Sequence, residues 1–273
     1  MDDHDILNRP RIMYSCYFKL SREGEQFIPY HVFSYIKSGS LLINDGRQEQ
    51  LMTAGDFAFY RKDTLAKFIK MPDADNGEFK ALSIRLDKDT LQNFAEKYGY
   101  GTAVKPASKN NITKLEPNMV YQGFADSLLA YLEKPESHSE ALLNLKVNEA
   151  IMILLETKPD MADMLFDFNE PGKIDLKAFM ARNFHFNVDL SRFAYLTGRS
   201  LSTFKRDFQK IFSTTPNRWL QQKRLEEAHF LIAEKGKKPS DVYLEVGFEN
   251  LSHFSYAFKK AFGKAPSQVF IQE

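Results

Sequence analysis

The chain has 273 residues, 43% hydrophobic and 27% charged, which is typical of a globular protein with room for two domains. No apolar run approaches the ~20 residues that cross a membrane, and the acidic start, MDDHDILNRPRIMYSCY, lacks the apolar core of a signal peptide. The single cysteine, Cys16, excludes an internal disulfide, so a cytoplasmic location is expected.

The net charge of +1 is unevenly distributed along the chain. From Glu170 to the end, 17 Lys and Arg stand against 11 Asp and Glu, a net charge of +6, while the first 169 residues carry −5. A basic C-terminal part next to an acidic one indicates that one half meets a polyanion. A mildly basic solvated surface would give the same balance, so charge alone does not decide between them.

Residues 1–86 have the pattern of β-strands. Four stretches are rich in aromatic and β-branched residues with partial alternation: HVFSYIKSGSLLIND, DFAFYRKD, TLAKFIKM and EFKALSIRL. Turn signals separate them: Ser38–Ser40, Asn44–Gly46, Ala54–Asp56 and Asp75–Gly77. Many short strands with frequent turns predict a β-barrel or sandwich.

From Asp87 the pattern becomes helical, and a turn-rich segment, DFNEPGK, precedes an entirely helical remainder. The chain is therefore predicted to be an α+β protein of two domains. An N-terminal barrel or sandwich with flanking helices occupies residues 1–160. A linker follows at residues 161–172, and an all-α domain occupies residues 173–273.

The C-terminal part contains one unit twice. FKRDFQKIFSTTP begins at Phe204, and FSYAFKKAFGKAP begins at Phe254, with Phe, Phe, Phe and Pro at the same offsets. On a helix the three phenylalanines of each copy fall within about 80°, which predicts an apolar stripe. The stripe is expected to include Leu201 and Ile211 in the first copy and Leu251 in the second.

The flanks of both copies predict helix-turn-helix units. A short helix ending at glycine precedes each copy, VDLSRFAYLTG and PSDVYLEVG, and closing glycines suit a left-handed turn. Between the units, Pro216–Lys235 is predicted to be one helix of roughly 30 Å. One turn of B-DNA is about 34 Å, so this helix can set two reading helices in successive major grooves.

These motifs closely resemble the DNA-binding domain of AraC/XylS-type transcription regulators. The match lies in GRSLSTFKRDFQKIFSTTPNRWLQQKRLEEA and LEVGFENLSHFSYAFKKAFGKAPS, and it covers about 100 residues. The resemblance implies double-stranded DNA as partner, RNA polymerase as a second partner, and a regulator that activates transcription. The DNA-contacting residues implied are Arg199, Ser202, Lys205, Arg206, Gln209, Asn250, Ser252, Ser255, Tyr256 and Lys259.

The segment YHVFSYIKSGSLLINDGRQEQLMTAGDFAFYRKD resembles the cupin-like sensor domain of the same regulators, and the whole pattern looks most like the branch named for ExsA. The resemblance implies a small-molecule or protein effector and a homodimer formed through Pro117–Lys134 and Ser139–Lys158. These helices would equally serve to cover the apolar face of the N-terminal domain itself.

Two other functional classes are alternatives to this hypothesis. A metal-dependent cupin enzyme needs clustered histidines, whereas His31 stands alone in the strand region, where a structural role is expected. The sequence has no phosphate loop, G-x-S-x-G motif or CxxC pair, so no catalytic residues, metal ligands or cofactor are predicted. An interaction protein whose basic half binds another protein is the third alternative.

Overall fold

The computed structural model describes residues 11–22, 26–75, 77–101, 110–132 and 139–270. The chain divides into two compact domains, Met1–Asn169 and Glu170–Glu273. Parts of three predictions lie outside the described residues: positions 1–10 of the acidic start, Asn76 of one turn, and positions 133–134 of one dimerisation helix. Within the described residues, every helix is too short or too polar to span a membrane.

The N-terminal domain is rich in antiparallel strands, as predicted. The described strands are β1 Ile12–Tyr17, β2 Phe27–Ile28, β3 His31–Ser38, β4 Ser40–Asn44, β5 Glu49–Thr53, β6 Phe57–Tyr60, β7 Thr64–Leu65, β8 Lys67–Met71, β9 Phe79–Leu86 and β10 Ile112–Leu115. They form a five-stranded sheet in the order β1-β9-β3-β6-β10, a three-stranded sheet in the order β5-β4-β8, and the pair β2-β7.

The α+β fold class is confirmed, but the described strands do not close into a barrel. The five-stranded sheet ends at β1 on one side and at β10 on the other. β10 had not been predicted, because its four residues, ITKL, follow a helix and pair with β6 about fifty residues earlier in the chain. The predicted turns at Ser38–Ser40, Asn44–Gly46 and Ala54–Asp56 each join consecutive strands, and Gly39, Gly46 and Gly55 there have positive φ. Of these three, the turn at Asn44–Gly46 closes a hairpin, β4 with β5.

The five-stranded sheet is buried on both faces. Along β6, Phe57 and Phe59 point into a core shared with the helices, while Ala58 and Tyr60 point into a core shared with the three-stranded sheet. Successive strand residues alternate between faces, so two covered faces require apolar residues at every position of this strand. This explains the continuous apolar run FAFY.

The described part of the N-terminal domain also has four helices and a short 3-10 turn: α1 Lys88–Tyr98, α2 Met119–Leu132, α3 Glu140–Thr157, the turn Pro159–Met161, and α4 Ala162–Leu165. The side chains of Met161, Met164, Leu165 and Phe166 are buried in the helical side of the core. Residues 161–166 of the predicted linker therefore belong to the N-terminal core. Their apolar side chains recur at helical spacing and pack against the other residues of that core.

The C-terminal domain is helical throughout its described residues. Its helices are α5 Leu176–Asn183, α6 Leu190–Leu196, α7 Leu201–Phe212, α8 Pro216–Ala233, α9 Pro239–Glu245, α10 Leu251–Phe262 and α11 Pro266–Val269. The first helix-turn-helix unit is α6 with α7, and the second is α9 with α10. The linker helix α8 joins them and ends two residues earlier than predicted.

Candidate DNA-binding surface

The turn of the first unit is held by a buried threonine and a glycine. Thr197 ends α6, and its hydroxyl donates to the carbonyl oxygens of Phe193 and Ala194 at 2.9 Å. Gly198 has φ 64°, and a Cβ there would lie 2.4 Å from the carbonyl carbon of Gly172. A side chain would be strained and would clash with backbone, so the position requires glycine. The Ser200 hydroxyl then caps α7 by accepting the Thr203 N–H.

The second unit repeats this arrangement. Gly247 has φ 99°, and a Cβ there would lie 2.5 Å from the carbonyl oxygen of His185. Asn250 caps α10, its Oδ1 accepting the backbone N–H groups of Ser252 at 2.8 Å and His253 at 3.1 Å. Both reading helices therefore begin at a side-chain cap that follows a tight glycine turn.

The phenylalanine stripes are core at two of their three positions. Phe204, Phe208, Phe254 and Phe258 are fully buried. The third phenylalanine of each copy lies at the edge, where Phe212 packs on Trp219, at 4.8 Å between ring centroids, and Phe262 packs on His229 at 4.6 Å.

The flanking leucines and isoleucine are on the predicted stripes but are not buried. Leu201, Ile211 and Leu251 are 39%, 45% and 41% exposed. Leu201 and Leu251 are the first residues of α7 and α10, and Ile211 lies in the last turn of α7, so the three side chains lie near helix ends.

The outer face of α7 carries polar side chains as the periodicity predicts. Ser202, Lys205, Arg206 and Gln209 are all exposed. The Arg206 side chain is 67% exposed, with Nε 3.9 Å from an Asp207 carboxylate oxygen. These four side chains occupy one helical face, because they recur at spacings of three and four residues.

The outer face of α10 is built on the same offsets. Ser252, Tyr256 and Lys259 are exposed, with Tyr256 at 70%, and Ser255 is half-buried. Asn250 is also exposed, at the start of the helix. A phenol and two hydroxyls give this face less positive charge than α7 presents, with Lys259 at its C-terminal end.

Arg199, which is predicted to contact DNA, has its side chain packed in the turn of the first unit. Its side chain is 7% exposed, and Nε lies 3.1 Å from an Asp207 carboxylate oxygen. Nη1 donates to the carbonyl oxygens of Thr197 at 2.7 Å and Ile174 at 3.0 Å. The hydrogen bond from Arg199 lowers the pKa of Asp207 and keeps it charged. Arg199 is thus part of the packed turn, because its donors are engaged inside the domain.

A cleft of about 1280 Å³ separates the two reading helices and includes polar residues that sequence reasoning missed. Lys205 and Asn250 line it, together with Asn217, Arg218, Gln221 and His253. Arg218 and Gln221 lie three apart on α8, a spacing that places them on one helix face. This spacing could have been used to predict a polar face on α8, but α8 was interpreted only as a rigid spacer between the two units.

His31, the early histidine of the sensor-domain resemblance, is a packed core residue. Its Nδ1 accepts the Lys62 backbone N–H at 3.2 Å, and its ring stacks on Phe59 at 5.3 Å between centroids. Burial, with a smaller contribution from the charges of Lys62 and Arg61, lowers the pKa of His31 to about 3, so the ring is neutral. Across the described ranges, no three His, Cys, Asp or Glu side chains gather as metal ligands would.

Comparison with known families accounts for both domains. Residues 193–271 match the model of a helix-turn-helix domain, and residues 31–164 match the model of the ExsA N-terminal regulatory domain. The two matches together cover most of the chain. The chain belongs to the AraC family of transcriptional regulators.

This AraC-family regulator is similar to proteins of several bacteria. It is 25% identical over 240 residues to the HTH-type transcriptional regulator ExsA of Pseudomonas aeruginosa, a match covering 84% of this chain and 82% of that protein. It is 29% identical over 146 residues to the virulence regulon transcriptional activator VirF of Yersinia enterocolitica, covering 52% and 53%. A crystal structure of an apo ToxT variant from Vibrio cholerae aligns with 96% of the chain and 98% of its own, at 14% identity and a TM-score of 0.46.

The family assignment gives this chain its function. It is a DNA-binding transcription regulator, and its curated relatives are transcription regulators rather than enzymes. The enzyme alternative is therefore set aside.

Proposed function

We propose that the two helix-turn-helix units read two adjacent major-groove segments on one face of an operator. The observation that carries this proposal is the repeated outer face, in which α7 and α10 begin at a side-chain cap and expose polar residues at the same offsets. The side chains assigned to DNA are Ser202, Lys205, Arg206, Gln209, Asn250, Ser252, Ser255, Tyr256 and Lys259. Arg199 is left out, because its donors are engaged within the turn.

The length of the linker helix supports a protein whose two helix-turn-helix units are held at a fixed separation. Its 18 residues correspond to roughly 27 Å along the helix axis. Successive major grooves on one face of B-DNA are about 34 Å apart. The two units extend beyond the ends of α8, and this makes up the difference between the helix length and the groove spacing. Footprinting of the protein on a selected operator is expected to reveal two major-groove contacts about one turn apart for each protomer.

The N-terminal domain is assigned the regulatory role in this proposal. It receives a small-molecule or protein effector in a cupin-like fold and forms a homodimer through α2 and α3, which expose Met119, Val120 and Leu145. The protein activates transcription, the role that VirF and the XylDLEGF operon transcriptional activator of Pseudomonas putida are named for, and RNA polymerase is its second partner. It acts in the cytoplasm, where bacterial DNA lies.

Arg206→Ala is expected to weaken operator binding without loss of folding. A guanidinium paired with a guanine edge contributes about 1–3 kcal/mol of discrimination, which corresponds to roughly 5- to 150-fold in affinity. The measurement is a mobility-shift titration on an operator selected from random DNA, beside a scrambled duplex. Arg182→Ala, an exposed arginine on α5, is the matched control and should bind normally. Equal losses on both duplexes would make Arg206 a phosphate contact instead.

Lys259→Ala is expected to weaken binding evenly across DNA sequences. A lysine that neutralises one phosphate releases about one counterion, so the slope of log affinity against log salt should fall by about one. Titrations over a salt series on operator and scrambled DNA measure both quantities. Lys177→Ala, on the exposed face of α5, serves as control. An unchanged slope would exclude Lys259 from the phosphate contacts.

A further inference from the structure

The linker helix carries a half-buried arginine, and each of the three nitrogens of its guanidinium donates to a backbone carbonyl group. Arg224 Nε donates to the carbonyl oxygen of Phe184 at 2.8 Å, Nη2 donates to that of Phe186 at 2.8 Å, and Nη1 donates to that of Gly247 at 2.9 Å. Burial lowers the pKa of Arg224 to about 10, so it stays charged at neutral pH. A guanidinium is planar with donors in a fixed fork, so three such contacts define both the position and the orientation of the carbonyls.

The three carbonyl groups come from the segment that leads into the first helix-turn-helix unit and from the turn of the second unit. Phe184 and Phe186 lie in the segment that enters the first unit, between α5 and α6. Gly247 is the turn glycine of the second unit, three residues before the cap of α10. A single side chain in the middle of α8 therefore hydrogen-bonds both to the segment before the first unit and to the turn that orients the second reading helix.

Two independent contacts bring the same segments together. The amide Nδ2 of Asn187 lies 2.6 Å from Oε1 of Glu249. The absent side chain of Gly247 leaves room for the His185 carbonyl oxygen, which would lie 2.5 Å from a Cβ. The entrance segment thus runs directly against the second turn, and Arg224 lies beside both.

We propose that Arg224 is the positioning residue that fixes the spacing and phase of the two reading helices, and hence the half-site spacing that the regulator accepts. This inference rests on the proposed two-groove reading. Arg224 acts through the backbone of both units. A lysine cannot replace it, since one ammonium group does not span three carbonyl oxygens in a fixed plane.

The test compares spacing preference rather than affinity alone. DNA probes carry the operator selected by the wild-type protein, the same operator with base pairs inserted one at a time between the half-sites, and one half-site by itself. The proteins are wild type, Arg224→Met, Arg224→Lys, and the matched control Lys223→Met. Lys223 is the adjacent residue and pairs with Glu226 on the same helix, so its variant removes equal charge without touching the carbonyls. Thermal melting establishes that each variant is folded.

Wild type and Lys223→Met should bind best at one spacing and lose affinity sharply when half a turn of DNA is inserted. Arg224→Met and Arg224→Lys should keep the single half-site affinity and lose the spacing preference by at least about tenfold, as expected when hydrogen bonds from a charged group are removed. Asn187→Ala, which leaves Arg224 in place, should also weaken the preference for one half-site spacing, but by less. If both Arg224 variants unfold, the result for Asn187→Ala tests the inference instead. The inference would be overturned if Arg224→Met folds and keeps the wild-type spacing preference. If neither Arg224 variant folds, it would be overturned if Asn187→Ala keeps that preference. A wild type that binds one half-site as well as two would instead overturn the two-groove function.

Discussion

Insertion of two alanines after Gln222 is expected to reduce operator binding to the non-specific level while both helix-turn-helix units still form. The insertion lengthens α8 by about 3 Å and rotates everything after it by about 200° about the helix axis. The second reading helix then faces away from the DNA that the first one contacts. Moving the second half-site by a few base pairs should not fully restore binding, because the rotation is about the protein helix and not the DNA axis.

An insertion of four alanines at the same place separates rotation from length. It lengthens the helix by about 6 Å but leaves the second unit within about 40° of its original facing. Its binding should recover in part on an operator with a longer spacer, whereas the two-alanine variant should not recover on any spacer. Mobility-shift titrations on the spacer series make the comparison. Wild-type affinity and both footprint contacts in the two-alanine variant would show that α8 acts as a flexible tether.

Phe208→Ala is expected to destabilise the first helix-turn-helix unit by about 3–5 kcal/mol, the usual cost of removing a buried aromatic ring. Phe208 is fully buried, and its ring packs on Phe204 at 5.6 Å, Phe212 at 4.3 Å and Trp219 at 5.6 Å between centroids. Phe258→Ala should act similarly in the second unit. Circular dichroism during thermal and urea unfolding measures the loss.

Ile211→Ala is the matched control for the core substitution. Ile211 lies three residues further along α7 and is 45% exposed, so its truncation should change the free energy of unfolding by no more than about 0.5 kcal/mol. A Phe208→Ala protein as stable as this control would mean that the ring contributes little to the core in solution.

The repeated unit was readable from the sequence because its signals are local. Phenylalanines four residues apart, a glycine before each copy and a proline after it define two helices, their turns and their buried sides. Ser213 illustrates how little the local signal depends on one residue type. It ends α7 in the left-handed region at φ 54°, as Gly263 ends α10 at φ 76°, although serine tolerates that conformation less well than glycine.

Several features that the sequence does not predict depend on partners elsewhere in the chain. The packing of Arg199 depends on Asp207 and on the Ile174 carbonyl. The strand β10 depends on pairing with β6, and the open sheet depends on which strands lie at its edges. Helical periodicity gives the direction of a side chain but not how much of the helix its neighbours cover, and Leu201 and Leu251, the first residues of their helices, are exposed although they point along the stripe.

The position of Trp219 equips the protein with a native optical reporter. It is the single tryptophan of the chain, and its indole packs edge-on against Phe208 in the core of the first unit and against Phe212 beside it. The second unit has tyrosine and phenylalanine but no indole. Selective excitation of tryptophan fluorescence therefore records events where the linker helix packs on the first unit. Changes in emission wavelength and in quenching can therefore report the binding of the first unit to DNA separately from the binding of the second unit, without any introduced label.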